Sequence, residues 1–111
     1  MNLTHLSARV SVYGQVMPSD IQTLKSLGFS TLICNRPDHE DPGQPTAAEV
    51  KAAAEGAGLT FFFVPYNPSS PSPTLVSDFE AALKAAPEGK VLAFCRSGNR
   101  SARLWQAVGG P

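Results

Sequence analysis

The residues best suited to covalent chemistry lie between Cys95 and Ser101, in the last fifth of the chain. An apolar run from Val91 to Phe94 leads into Cys95, and four residues then separate this cysteine from Arg100. A thiolate is the nucleophilic form of cysteine, and a guanidinium can bind two oxygens of one oxyanion. The spacing therefore predicts a thiolate enzyme that acts on an anionic substrate.

Residues 95–101, called the cysteine loop below, have the pattern of a strand that turns sharply into a helix. Backbone N–H groups turn inward in such a loop and the helix points its positive end at the same spot, so the loop binds an anion and lowers the pKa of the Cys95 thiol. Gly98 permits a close backbone approach, and the Ser101 hydroxyl is placed to donate to the thiolate or to a leaving sulfur. The predicted anion-binding residues of the loop are Arg96, Ser97, Gly98 and Asn99.

A buried structural cysteine with solvated arginines nearby is the alternative interpretation of this loop, because free cysteine is among the most buried residue types. We favour the functional interpretation, because a cysteine, a glycine, an arginine and a serine occur together at one junction between a strand and a helix.

Composition and charge argue against several classes of function. Nine basic and nine acidic residues give a formal net charge of zero, so nothing indicates nucleic acid or an anionic membrane surface as partner. No apolar run is long enough to span a bilayer, and no cluster of His, Cys and Asp has the spacing of metal ligands, so we predict no membrane, metal or cofactor. The N-terminus lacks a secretion signal and two cysteines do not make a disulfide scaffold, so we expect a cytoplasmic protein.

Hydrophobic periodicity predicts strands that alternate with helices. The predicted strands are 8–13, 29–34, 59–65 and 91–95, and the predicted helices are 18–28, 46–57, 74–86 and 101–108. Ser19 and Thr46, the latter with Glu49, are expected to cap the first two helices. This alternation predicts an α/β fold with a mostly parallel central sheet, buried on both faces and flanked by helices. Since parallel strands end at one edge, the loops at 35–45 and 66–73 should meet the cysteine loop.

The chain length and the last helix pattern bear on domain organisation. With 111 residues the chain can bury one modest core, and we expect a single domain over residues 1–111. The last helix pattern stops at Val108, before two glycines and Pro111, which leaves little apolar surface to cover the sheet. A truncated C-terminal end and an apolar patch covered by a partner, including a second copy, are both open.

Two residues at the end of the 29–34 strand have two interpretations each. Cys34 ends a strand parallel to that of Cys95, so it is either a small core residue, which we favour, or a resolving thiol. Arg36 follows the same strand end and either lines the anion pocket or is solvated or salt-bridged.

Three segments together resemble a known family. They are Tyr13-Gly14-Gln15 followed by Pro18 and Asp20, the run from Cys34-Asn35-Arg36-Pro37-Asp38 to Pro42-Gly43-Gln44-Pro45, and the cysteine loop itself. Over most of its length the chain resembles the bacterial phosphatase-like domain of beta-lactamase-hydrolase-like proteins, which is related to dual-specificity and tyrosine phosphatases. The resemblance implies a dual-specificity-phosphatase-like fold with the cysteine loop between the last strand and the following helix. It also implies Cys95 as nucleophile, Arg100 as oxyanion clamp, and a small anionic substrate or a phosphoprotein as partner.

Two features depart from the pattern of those phosphatases. Their loops have five residues between cysteine and arginine, whereas this loop has four, a length that resembles rhodaneses. Those phosphatases also use an aspartate about thirty residues before the cysteine as general acid, and the corresponding segment here, 64–68, has no acid. Asp38, Glu40 and Asp41 are the candidates to replace it, and Asp38 is taken as the catalytic acid.

Three functions are open at this point. Phosphoester hydrolysis through a phosphocysteine is placed first, because the resemblance covers most of the chain whereas the loop length concerns a single residue. Rhodanese-type sulfur transfer through a Cys95 persulfide is nearly as well supported, since it needs no general acid. The third function is that of a catalytically idle module that binds an anion.

Overall fold

The structure is a computed structural model that describes residues 1–110. Its strands are β1 (Thr4–His5), β2 (Val10–Tyr13), β3 (Phe29–Cys34), β4 (Thr60–Phe63) and β5 (Lys90–Phe94). Its α-helices are α1 (Ile21–Ser26), α2 (Ala47–Gly56), α3 (Leu75–Ala85) and α4 (Asn99–Ala107), and a 3-10 turn (Pro18–Asp20) precedes α1. The strands form one sheet in the order β1-β2-β5-β3-β4, with β1 antiparallel to β2 and the other neighbours parallel. The predicted α/β fold with a mostly parallel sheet is confirmed.

The central strands β3 and β5 bury apolar side chains on both faces, because successive residues of a strand point to opposite sides. On one face, Leu32, Leu92 and Phe94 pack with residues of α1 and α2. On the other face, Ile33, Val91 and Ala93 pack with residues of α3 and α4. The central position of β5, between β2 and β3, encloses the strand that leads to Cys95.

The two edge strands differ from the expectations. β1 is missing from the predicted strands, because two residues are too few to show an alternating pattern. β4 lies at the opposite edge with β3 as its partner, and Phe63 is 46% exposed. Phe61 is buried on one face of β4 and Phe62 packs partly buried on the other, so the departure from burial on both faces lies at Phe63, the last residue of this edge strand.

Of the two predicted helix caps, Thr46 is confirmed and Ser19 is wrong. Thr46 Oγ1 accepts from the Glu49 N–H and Glu49 Oε1 accepts from the Thr46 N–H, both at 3.2 Å, as the predicted capping box requires. Ser19 does not cap α1. The chain enters that helix through the 3-10 turn, where the Met17 N–H donates to Asp20 Oδ2 at 2.8 Å. None of the helices within residues 1–110 has the length and apolar character needed to cross a membrane.

Phe79 tests the packing of α3 against the sheet. Its ring is fully buried, so Phe79→Ala should lower the free energy of unfolding by about 3–5 kcal/mol, the usual cost of deleting a buried ring. Val76 lies on the same helix and is 44% exposed, so Val76→Ala should change that free energy by less than about 0.5 kcal/mol. Urea denaturation measures both variants, and equal losses would contradict the packing described.

Candidate active site

Three parallel strands end beside the cysteine loop. Phe94, the last residue of β5, pairs with Tyr13 of β2 and with Cys34 of β3. The Cys95 N–H donates to the Tyr13 carbonyl at 3.3 Å, and the Asn35 N–H donates to the Phe94 carbonyl at 2.7 Å. The chain segments that follow these strands therefore meet at the carboxyl edge of the sheet, which confirms the expected meeting of the loops.

The Cys95 side chain is fully buried at the floor of the cysteine loop. Its Sγ accepts a hydrogen bond from the Gly98 N–H at 3.0 Å. Burial by itself raises the pKa of this thiol, but four backbone N–H groups outweigh burial, and the pKa lies below its ordinary value. These donors belong to Ser101, Ser97, Gly98 and Arg100. The loop therefore favours the thiolate, which is the nucleophilic form.

Two glycines allow the cysteine loop to pack against the end of β2. Gly98 has a φ of 94°, in the left-handed region that favours glycine, and a Cβ there would lie 3.5 Å from the Tyr13 carbonyl oxygen. A Cβ on Gly14 would lie 3.0 Å from the Arg96 carbonyl oxygen, which is closer than ordinary contact. The end of β2 and Gly14 thus lie directly against the backbone of the loop, where Gly98 is favoured by its φ and Gly14 by the lack of room for a Cβ.

Arg100 lies in the first turn of α4, and its guanidinium reaches the 35–45 loop. Nη1 donates to Glu40 Oε2 at 2.9 Å, and Nη2 donates to Glu40 Oε1 at 2.8 Å. Nη1 also donates to the Tyr66 carbonyl at 2.9 Å. Glu40 is the main cause that raises the pKa of Arg100, and Cys95 adds to it. The guanidinium therefore lies between the Glu40 carboxylate and the Cys95 sulfur.

Glu40 is held by two arginines. Besides its bonds to Arg100, Oε1 accepts from Arg36 Nε at 2.9 Å. Arg100 is the larger cause and Arg36 a smaller one in lowering the pKa of the Glu40 carboxyl. Glu40 is consequently an ionised acceptor at neutral pH rather than a proton donor.

Asp38, the predicted general acid, has a different place in the structure. Its Oδ1 accepts from the N–H of Ala47, the first residue of α2, at 2.8 Å. A carboxylate in this position satisfies a free N–H at the helix N-terminus. The structure thus assigns Asp38 a capping bond, and the carboxylate that reaches the cysteine loop is that of Glu40.

Arg36 and Arg96 both contact Asp41. Arg36 is buried and uses its remaining donors within the protein, from Nη2 to Asp41 Oδ2 at 2.6 Å and from Nη1 to Gln15 Oε1 at 3.1 Å. It braces the loop and does not present a free guanidinium to a ligand, so of its two interpretations the structure agrees with the salt-bridged one and not with the one that lines the anion pocket. Arg96 Nε lies 3.2 Å from Asp41 Oδ2, and its side chain is 67% exposed.

The Ser101 hydroxyl has a partner other than the thiolate. It donates to Asn35 Oδ1 at 2.8 Å, and both side chains are fully buried. Asn35 also donates from Nδ2 to the Val64 carbonyl at 2.8 Å, and its own carbonyl accepts from the Tyr66 N–H at 2.9 Å. The buried amide oxygen of Asn35 needs a donor, and the Ser101 hydroxyl supplies it. Ser101 therefore interacts with Cys95 through its backbone N–H and not through its hydroxyl.

A cleft of about 480 Å³ opens above the cysteine loop. It is lined by Glu40, Pro68, Arg96, Ser97 and Arg100. Asn99 is exposed in the first turn of α4, where its N–H donates to Ser97 Oγ at 3.4 Å. Within residues 1–110, no group of three or more His, Cys, Asp or Glu side chains is arranged to hold a metal ion.

Cys34 differs chemically from Cys95. Burial is the main cause that raises the pKa of the Cys34 thiol to about 12. Its Sγ lies 3.4 Å from the Arg36 carbonyl oxygen, to which the thiol donates. Cys34 is thus a buried residue whose thiol favours the protonated form, in agreement with the favoured interpretation as a small core residue.

Sequence reasoning missed the amide side chains that brace the site. Gln15 binds Arg36, Asn35 binds Ser101, and Gln44 bonds to the backbone of its own loop. Each lies within a segment that carries the family resemblance, Tyr-Gly-Gln, Cys-Asn-Arg or Pro-Gly-Gln-Pro. Their place in those segments is the signal that could have found them.

The contrast between the two thiols gives a pH test. At pH 7, iodoacetamide should alkylate Cys95 and leave Cys34 unmodified in the folded protein, because one pKa is lowered and the other is raised to about 12. The Cys95 rate should stay high below the pH range of an ordinary thiol, near 8.5. Peptide mass mapping assigns the site, and preferential labelling of Cys34 would contradict the description.

Glu40 predicts a specific acid sensitivity. Its pKa is lowered in the folded state, so the ionised carboxylate stabilises the fold above the unfolded pKa, about 4.3. This contribution is lost as the pH falls through the lower folded value. In Glu40→Gln the stability of the fold should therefore decrease less on acidification than in the wild type. In Glu55→Gln, at an exposed position of α2, it should decrease as much as in the wild type. Thermal unfolding between pH 2 and 6 compares the variants, and identical profiles would refute this linkage.

Comparison with known proteins gives concordant results. The family model for the phosphatase-like domain of beta-lactamase hydrolase-like protein matches residues 2–109. Beta-lactamase hydrolase-like proteins from Agrobacterium fabrum and Xylella fastidiosa are each 33% identical to the chain over 105 residues. The match covers 95% of this chain and 24% of each relative, so the chain spans about a quarter of their length.

Solved structures agree with this match. A protein from Neisseria meningitidis, described as a putative phosphatase, is 34% identical with a TM-score of 0.84, and the match covers all of this chain and 81% of that one. The core catalytic domain of a PP-IP phosphatase from S. cerevisiae has a TM-score of 0.69 at 15% identity, covering 97% of this chain and 64% of that one, which shows the fold alone. The predicted dual-specificity-phosphatase-like fold is confirmed. The chain belongs to the family of phosphatase-like domains found in beta-lactamase hydrolase-like proteins.

Proposed function

We propose that the protein is a cysteine-dependent phosphohydrolase in which Cys95 attacks the phosphorus of a phosphate monoester. The observation that carries this proposal is a buried thiol whose pKa is lowered by four N–H groups of its own loop, with Arg100 beside it. The phosphatase-like family supports the same class of reaction. The substrate is a small phosphate ester or a phosphoprotein.

The reaction proceeds in two displacements. Cys95 Sγ forms a bond to phosphorus while the bond from phosphorus to the leaving oxygen breaks, which gives a phosphocysteine. Water then cleaves the sulfur–phosphorus bond and releases inorganic phosphate. The loop N–H groups and the Arg100 guanidinium stabilise the charge on the three equatorial oxygens in both steps.

The leaving oxygen receives little help from an acid in this mechanism. The segment 64–68 contains no Asp or Glu, and the pKa of Glu40 is lowered by its arginine partners. Asp38 accepts a bond at the start of α2, and Asp41 is paired with Arg36 and Arg96. A leaving group that is a weak base departs without protonation. The enzyme is therefore expected to prefer aryl phosphates over alkyl phosphates.

Sulfur transfer is the second candidate, favoured by the short loop whose donors converge on the sulfur itself. The Cys95 thiolate would attack the sulfane sulfur of thiosulfate and release sulfite, leaving a persulfide on Cys95. Cyanide or a second thiol then takes that sulfur and restores the thiolate. No proton donor is needed, since sulfite is a stable leaving group.

Two assays on one reduced sample separate the candidates. They measure phenol release from an aryl phosphate, and thiocyanate formation from thiosulfate and cyanide. The proposal predicts aryl phosphate hydrolysis that is abolished in Cys95→Ser and retained in Cys34→Ser, the matched change at the other buried cysteine. Thiocyanate formation without hydrolysis would replace the proposal with sulfur transfer, and silence in both assays with intact phosphate binding would indicate an idle binding module.

Arg100 gives a second test of the same mechanism. Arg100→Lys keeps the charge but loses the planar pair of donors, so kcat/KM for the aryl phosphate should fall by about 10²–10³-fold. Arg103→Lys, at an exposed position of the same helix, is the matched control and should stay within about twofold of the wild type. Comparable rates for the two variants would argue against a role for Arg100 at the phosphoryl group.

A further inference from the structure

The half-buried side chain of Gln44 makes hydrogen bonds to the backbone of its own loop, within residues 37–44. Gln44 Oε1 accepts from the Glu40 N–H at 3.1 Å and from the Asp41 N–H at 3.4 Å. Gln44 Nε2 donates to the Pro37 carbonyl at 2.9 Å. The carboxamide thus joins the beginning, middle and end of this segment through its acceptor and its donor.

The segment also contains an unusual backbone turn. His39 has a φ of 63°, and among residues 1–110 no other residue except glycines has a positive φ. Such a conformation persists when surrounding bonds hold it in place. Glu40 follows immediately, so the turn at His39 and the bonds from Gln44 together set the direction of the Glu40 side chain.

Glu40 in turn sets the orientation of Arg100. Its carboxylate binds the edge of the guanidinium formed by Nη1 and Nη2. Arg36 holds the same carboxylate from its other side. Glu40 makes no bond to Arg100 Nε, so the edge formed by Nε and Nη2 can hold two oxygens of an anion while Glu40 stays in place.

We propose that Gln44 is a positioning residue of the anion site. It holds the 37–44 segment so that Glu40 keeps the Arg100 guanidinium aligned for an oxyanion above Cys95. The inference rests on the proposed function only for the choice of phosphate as the anion. Gln44 acts through Glu40 and touches neither the sulfur nor the guanidinium.

The test uses inorganic phosphate as probe and its protection of Cys95 against iodoacetamide as readout. Gln44→Ala removes three hydrogen bonds, so the phosphate concentration needed for half-protection should rise about tenfold. The alkylation rate without phosphate should change by less than about threefold, because the thiolate is held by N–H groups of its own loop. A general loss of structure would move both quantities. Gln22→Ala, at an exposed glutamine of α1, should change neither.

Coupling to Glu40 decides between positioning and simple stabilisation. In a Glu40→Ala background the side chain that Gln44 positions is gone, so adding Gln44→Ala should weaken protection by less than about twofold.

Three results would overturn the proposal. The first is that Gln44→Ala weakens phosphate protection equally in the wild-type and Glu40→Ala backgrounds. The second is that Gln44→Ala does not weaken protection at all. The third is that phosphate does not protect the wild type, since there would then be no anion site for Gln44 to position. Hydrolysis of an aryl phosphate is followed separately. Protection without hydrolysis would count against the proposed function and leave the role of Gln44 supported by the coupling.

Discussion

The site depends on how the protein stabilises the charged form of a buried thiol. Burial penalises the charged form of Cys95, and backbone N–H groups of the same loop overcome that penalty. A loop that turns several N–H groups toward one atom needs the left-handed conformation of Gly98 and the bare backbone of Gly14 against which it packs. It also needs a rigid base, which the central strand β5 supplies between its two parallel neighbours. The N-terminus of α4 adds its positive end to the proposed anion site.

The surroundings of this loop combine positive and negative side chains in a protein with a formal net charge of zero. Three arginines lie near the cysteine, and two carboxylates, Glu40 and Asp41, are paired with them. These ion pairs reduce the repulsion between the arginines and fix the directions of their side chains, but they also occupy guanidinium N–H donors. Arg36 uses its donors in this way and becomes a brace. Arg100 keeps its Nε free of Glu40, so it can serve both the carboxylate and a ligand. The same pairing makes Glu40 a poor proton donor, which links the geometry of the loop to the expected preference for weakly basic leaving groups.

The strand, turn and helix around Cys95 and the N–H donors facing its sulfur could be predicted from sequence, because they depend on neighbours along the chain. A strand, a cysteine, a glycine and an arginine within a short segment indicate the type of loop, whereas its packing also depends on Gly14 and on the strands beside β5. The capping box of Thr46 and Glu49 was predictable for the same reason. The choice among Asp38, Glu40 and Asp41 was not, because all three lie in one polar loop and a turn at His39 decides which side chain reaches Arg100. The partner of the Ser101 hydroxyl and the edge position of β4 depend on contacts between distant segments, which no local pattern contains.

The central claim is that Cys95 forms a covalent bond to phosphorus during turnover. The most direct measurement is the mass of the Cys95 peptide after rapid acid quench of the protein with an aryl phosphate, compared with a sample incubated with thiosulfate. A phosphoryl group on Cys95 is expected in the first sample. An unmodified Cys95 peptide in a sample that is turning over, or an adduct on another residue, would contradict it. An added sulfur atom on Cys95 in the second sample, with no phosphoryl adduct in the first, would indicate that the loop acts in sulfur transfer through a persulfide.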